Sequence, residues 1–149
     1  MSSPKYARII MLQAHKDQTR WDGRPYHVHP DKVVEILTMF GVQDDDVLCA
    51  AYLHDVLEDT DVDEALISGE FNNDVLILVK ELTFEENSSD ERYVEQCMEL
   101  SKGARIIKIA DILANITDNG HKSDHFIRKR VNALKAMLNA DEQPMVQKQ

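Results

Sequence analysis

The chain has 149 residues, 17 Lys and Arg against 27 Asp and Glu, and a formal net charge of −10. That length fits one domain, and 43% hydrophobic residues with only 5 Gly and 4 Pro exclude disordered, collagen-like and Pro-rich classes. The acidic balance removes the broad positive field that non-specific nucleic-acid binding needs, so a nucleic-acid partner is not expected, and any anionic ligand must be held by a local device such as a metal or a few placed cations.

No stretch approaches the roughly 18 apolar residues of a membrane span, and the first residues lack the apolar run of a secretory signal. Cys49 and Cys97 are in neither a CxxC nor a zinc-ribbon spacing. A compact soluble domain in the cytoplasm, without a membrane partner, a disulfide framework or a thiolate metal site, is the expectation.

In chain order, Ser3-Pro4 starts a helix that reads through about His15. Gln18 to Pro30, with Trp21-Asp22-Gly23 and two prolines, reads as an ordered loop. Asp31 can cap a second helix holding Val33, Val34, Ile36, Leu37 and Phe40, with Gly41 as its stop. A third helix is expected from about Asp44 to Glu58, apolar nearly all round and therefore central. Further helices are expected at Val62–Ile67, Asn73–Leu82, Asp90–Leu100, Ala104–Thr117 and Ser123–Leu138. Residues 1–140 read as one all-α domain, and 141–149 as a polar, flexible tail.

The stretch Leu53-His54-Asp55-Val56-Leu57-Glu58-Asp59-Thr60 places four ionisable groups beside a segment that should be deeply packed. Buried charge is expensive unless it is paired or bound to a metal. On a helix, His54 and Glu58 are one turn apart, as are Asp55 and Asp59, which sets two candidate ligands beside two carboxylates able to orient or deprotonate a water. His29 and Asp111 flank other core segments and can complete a mixed nitrogen and oxygen set, suited to Mn²⁺, Fe²⁺, Co²⁺ or Zn²⁺. Such a metal polarises phosphoryl oxygens. Asn115, four residues after Asp111, lies on the same helical face.

The order His29…His54-Asp55…Asp111 resembles the HD-domain metal phosphohydrolases. Three spaced stretches narrow the likeness: Ala14-His15 through Gln18, Arg20, Asp22-Gly23, Pro25-Tyr26 to His29-Pro30; then Ala51 to Thr60; then Lys108 to Asp111 with Asn115. Together they resemble the hydrolase domain of RelA/SpoT proteins, and most closely its stand-alone small alarmone hydrolases. The resemblance implies a compact HD-domain helical bundle of about seven to eight helices. It also implies a Mn²⁺-dependent removal of the 3′-pyrophosphate from ppGpp and pppGpp, a phosphorylated guanine nucleotide substrate. Carried over by position, His29, His54, Asp55 and Asp111 match metal ligands, Glu58 and Asp59 match the acidic pair acting on the attacking water, and Arg20 and Asn115 match the nucleotide site.

Trp21 stands where the family commonly has a polar residue, and Trp21 and Tyr26 divide evenly between loop packing and ligand contact. The basic residues that usually follow the family's Asp and Asn are Ile112 and Ile116-Thr117 here, with Lys108, Lys122, Arg128 and Lys129 as candidate replacements. Another phosphorylated nucleotide, such as the 2′-phosphate of NADPH, and a non-catalytic nucleotide-binding module are the alternatives. His15 and Gln18 are expected to hold the loop, and His27, His121 and His125 to stay outside the site.

Overall fold

The computed structural model describes residues 2–118 and 122–147, without the side chains of 141–147. Nine helices are present among the described residues: α1 (Pro4–Ala14), α2 (Val28–Met39), α3 (Asp45–Leu53), α4 (Val56–Asp59), α5 (Glu64–Glu70), α6 (Asn73–Glu81), α7 (Asp90–Glu99), α8 (Lys102–Thr117) and α9 (Asp124–Gln147). The architecture is all-α.

Most helix starts are written in the sequence as polar caps. Ser3, Asp44, Asp63, Asn72, Ser89 and Ser101 each accept a hydrogen bond from a first-turn N–H of the helix that follows. Each such cap contributes about 1 kcal/mol by satisfying an otherwise orphaned donor. Gly41 ends α2 at φ 87°, where the Val42 N–H reaches the Leu37 carbonyl and the Gly41 N–H reaches Thr38. Only a residue without Cβ takes that conformation at little cost.

Three expected boundaries shift. The second helix begins at Val28 rather than Asp31, because Pro30 sits in its first turn, where a missing N–H costs nothing. The third helix breaks after Leu53: His54 and Asp55 lie between α3 and α4, with Asp55 at φ −106°, ψ 0°. This break makes nine helices of the eight read in the sequence. The backbone of α9 stays helical to Gln147, past the expected end at Leu138.

As its composition suggests, α3 is central and packs on α1, α2, α6 and α8. Its Cys49, Ala50, Ala51 and Leu53 are fully buried, together with Val33 and Leu37 of α2 and Ile107 and Ala110 of α8. A second, smaller core joins α7, α8 and α9 through Tyr93, Cys97, Ile112, Ala133 and Met137. Ile112 is therefore an anchor for this outer layer. No helix among the described residues is long and apolar enough to cross a membrane.

Candidate metal centre and its cavity

Helices α2 and α8 pack side by side, and this brings His29 and Asp111 together although they are far apart in sequence. His29 Nε2 lies 2.7 Å from Asp111 Oδ1. His54, carried by the break after α3, comes from the third side, with its Nε2 3.4 Å from the same oxygen. The ligand atoms of His29, His54 and Asp111 all lie within 4.8 Å of one another, and all three residues are buried.

The break gives His54 its orientation. Its Nδ1 is 2.7 Å from the Ala51 carbonyl, which can only accept, so Nδ1 carries the proton of the neutral ring. Nε2 then presents a lone pair toward the cluster, and this buried nitrogen has no hydrogen-bond partner. It sits 3.1 Å from Asp55 Oδ2. A lone pair facing carboxylate oxygens in a buried pocket, with the other ring nitrogen held by a carbonyl, is the usual arrangement of a metal-binding histidine. The residues present fit a divalent transition metal. Asp55 stands beside the three clustered residues, its Oδ2 receiving a hydrogen bond from the Tyr26 hydroxyl.

The charges of the cluster depend on one another. Burial alone would push the Asp111 carboxyl up, but Lys108 and the two histidines hold it well below the usual range. Burial would lower the His54 pKa, yet Asp55 and Asp111 raise it well above its ordinary value. Asp55 is shifted down by His54 against the cost of its own burial. Burial, with Asp55 and Asp111 nearby, raises the Tyr26 phenol, so its proton stays on oxygen as a donor.

A cavity of about 390 Å³ opens onto this cluster. His29, Asp55, Glu58, Asp111, Asn115, Arg20 and Tyr26 line it. Glu58 is exposed on the cavity wall, and its partial desolvation there, then Asp55 and Asp59, raise its carboxyl above the usual value. A raised carboxyl is a stronger base toward a water proton near neutral pH. Asp59 is raised by burial and Asp55 as well, but it lines a different pocket, shared with Gln18. Arg20 donates to Asn115 Oδ1 at 3.3 Å and to Asp118 Oδ2 at 3.1 Å.

The loop is tied as expected. His15 Nδ1 lies 2.9 Å from Gln18 Oε1, and Gln18 Nε2 donates to the Asp59 carbonyl at 2.6 Å. Gly23, at φ 89°, returns the chain so that its N–H meets the Arg20 carbonyl at 2.9 Å. Trp21 is 48% exposed and is not among the cavity-lining residues. His27 pairs with Asp31 and exposed His125 with Asp90, both away from the cluster, while His121 lies outside the described residues.

Of the four candidate replacement cations, Lys108, Lys122 and Lys129 line the cavity, whereas Arg128 is exposed and does not. Arg130 occupies the place suggested for Arg128, with its guanidinium 3.5 Å from the centre of the Phe126 ring. The signal was the spacing of Phe126 and Arg130, four residues apart and so on one face of α9, with Lys122 just before the helix.

A family model described as HD domain matches residues 7–140. The chain belongs to the HD-domain family. It is 40% identical over 111 residues to the guanosine-3′,5′-bis(diphosphate) 3′-pyrophosphohydrolase MESH1 of Mus musculus, covering 70% of this chain and 62% of that protein. The Homo sapiens protein of the same name is 40% identical over 119 residues, covering 75% of this chain and 66% of that one. The matched part thus spans somewhat under two thirds of the length of these relatives. Among solved structures, a metazoan SpoT ortholog, described as hydrolysing ppGpp and as playing a role in starvation responses, superposes with a TM-score of 0.77. It is 28% identical, and the match covers 93% of this chain and 92% of that one. The HD domain here is thus a helical scaffold whose buried His and Asp residues meet beside one cavity, which His29 and Asp111 reach.

Proposed function

We propose that the protein is a metal-dependent guanosine-3′,5′-bis(diphosphate) 3′-pyrophosphohydrolase, converting ppGpp or pppGpp to GDP or GTP and pyrophosphate. The observation that carries this reading is the buried His29, His54 and Asp111 cluster, whose His29 and Asp111 open onto a cavity that Glu58 and several cations also line. The names of the similar mouse and human proteins support the substrate. Mn²⁺ suits this mixed donor set, with other divalent transition metals as close competitors. Absence of a long apolar helix among the described residues and two buried free thiols support a cytoplasmic setting.

His29, His54, Asp55 and Asp111 would hold the metal, which when bound supplies a nucleophile near neutral pH and offsets charge on the phosphoryl group. The chain's own residues do the rest. Tyr26 fixes Asp55 through its hydroxyl. Glu58 takes the proton of the attacking water as its oxygen bonds to the inner phosphorus. The bond from that phosphorus to the ribose 3′ oxygen breaks, and the proton passes on to that oxygen. Arg20 and Lys122 stand where negative charge must be met, and Asn115 is held between them by bonds of 3.3 and 3.2 Å. Asp59 holds the loop through its carbonyl, and its carboxylate acts on the water at longer range.

A second reading keeps the chemistry and changes the nucleotide, to a substrate such as the 2′-phosphate of NADPH. Ile112 and Ile116 in place of the family's usual basic residues favour it. Turnover of ppGpp, NADPH and ordinary nucleoside triphosphates by Mn²⁺-loaded protein, measured side by side, separates the two. Preference for ppGpp supports the first reading, and preference for NADPH replaces it.

A further inference from the structure

The cavity has another wall, supplied by α7 and α9, that the reaction as drawn leaves without a role. Tyr93 lines it. The residue is 6% exposed, and its hydroxyl has no hydrogen-bond partner. A buried hydroxyl without a partner is uncommon in native proteins, and here it belongs to a residue of the cavity wall, so a small shift of the ring would offer it to a polar ligand there. Burial raises the phenol pKa even against Lys108 and Arg130, so the hydroxyl remains a donor.

Three cations surround the same ring. Lys108 Nζ is 5.5 Å, Lys129 Nζ 5.3 Å and the Arg130 guanidinium carbon 5.4 Å from its centre. Lys108 is paired with Asp111 at 3.2 Å. Lys129 donates to the Ser88 carbonyl at 2.7 Å and Arg130 to the Phe126 carbonyl at 3.3 Å, and among the described residues neither forms an ion pair. Glu85 and Glu86 of the adjoining loop also line the cavity; Glu85 is taken by Arg92 at 2.6 Å, which leaves Glu86 as the acid of that loop that no ion pair holds among the described residues. Close by, burial and the charges of Arg20 and Arg130 pull the Lys122 pKa down. In a chain of net charge −10, three cations gathered around the ring of an unpartnered donor, two of them outside any ion pair among the described residues, describe a seat for an anion.

Lys108 joins this seat to the metal-binding cluster, because one ammonium group faces both Asp111 and the Tyr93 ring. An anion spanning the two places carries two linked phosphates. We propose that Tyr93, Lys129 and Arg130 form a recess that receives the outer phosphate of the departing pyrophosphate, while Lys108 sits between that phosphate and the one beside the metal. The choice of pyrophosphate rests on the reaction proposed above; the recess rests on Tyr93 and its cations. Its consequence is a preference for a diphosphate leaving group over a single phosphate.

The test is calorimetric binding of inorganic pyrophosphate and of inorganic phosphate to the Mn²⁺-loaded full chain. Wild-type protein is compared with Tyr93→Phe, Lys129→Met and Arg130→Met, each checked for metal content and helicity. Pyrophosphate binds wild type more tightly than phosphate, and each variant loses about tenfold or more of pyrophosphate affinity, the scale of one hydrogen bond to a charged group. Phosphate affinity stays unchanged. Equal affinities for the two anions in wild type, or unchanged pyrophosphate binding in all three variants, overturn the recess. Parallel loss of both anions overturns it too, since that places the residues at the metal-side phosphate. If wild type fails to hydrolyse ppGpp yet shows the Tyr93-dependent preference, the recess stands and the assigned substrate falls. If it hydrolyses ppGpp and the preference is absent, the reverse holds.

Discussion

His54 gives its Nδ1 proton to the Ala51 carbonyl at 2.7 Å, and this one bond turns its Nε2 into a bare, buried acceptor beside Asp55 and Asp111. A nitrogen so placed has two remedies, a proton or a metal. Metal binding to the native state adds to folding free energy, about 2.7 kcal/mol when free metal is at one hundred times its dissociation constant. Stripping the protein with a chelator should therefore lower Tm by several degrees, and adding Mn²⁺ back should restore it. His54→Gln should hold no metal at concentrations that fill wild type and should show no such response, measured by differential scanning calorimetry with metal analysis.

Glu58 and Asp59 are neighbours in sequence but face different pockets. Glu58→Gln should reduce kcat by about 10²–10⁴, the usual contribution of a positioned base, with metal content intact. Asp59→Asn should lose distinctly less, since its link to the loop runs through its backbone carbonyl, which the substitution keeps. Steady-state kinetics on both variants checks the division; equal losses would give Asp59 a share in activating the water equal to that of Glu58.

The sequence showed which residues would meet better than it showed how they are carried. Caps and apolar spacing located eight helical stretches because capping and burial are local signals, visible in a few residues each. The break at His54-Asp55 left no such signal: Val56 and Leu57 continue the apolar pattern, and neither Gly nor Pro marks the site. What breaks the helix is tertiary, the demand that His54 reach Asp111 of α8 while Val56 stays buried. Trp21 and Arg128 were candidates by type and position, but loop direction and helix phase turned them outward, and Arg130 took the cavity face.

Asn72 offers a measure of stability apart from the chemistry. Its side-chain oxygen caps α6 through the Val75 N–H at 2.8 Å, and its amide donates to Ser2 and to Asp46. Asn72→Ala should cost about 1–2 kcal/mol in chemical denaturation, the upper range for a lost cap with added partners, and leave kcat unchanged.

Asp118 predicts an acid limb. Its own desolvation raises the carboxyl, but hydrogen bonds from Arg24 and Arg20 outweigh that and hold it below the ordinary value. A carboxyl depressed in the folded state stabilises the protein fully above its unfolded pKa of about 3.9, and the contribution is lost as pH falls through the lower folded value. Asp118→Asn should thus flatten the decline in stability below about pH 4. Denaturation midpoints collected from pH 7 to pH 2 on both proteins test this; parallel curves would remove Asp118 from the acid response.

The central claim is the reaction itself. Metal-replete protein incubated with ppGpp and Mn²⁺, its products separated by ion-exchange chromatography, should release GDP and pyrophosphate in equal amounts, and the chelator-treated control should release neither. Intact ppGpp after incubation, with metal bound at His29, His54 and Asp111, would contradict the account.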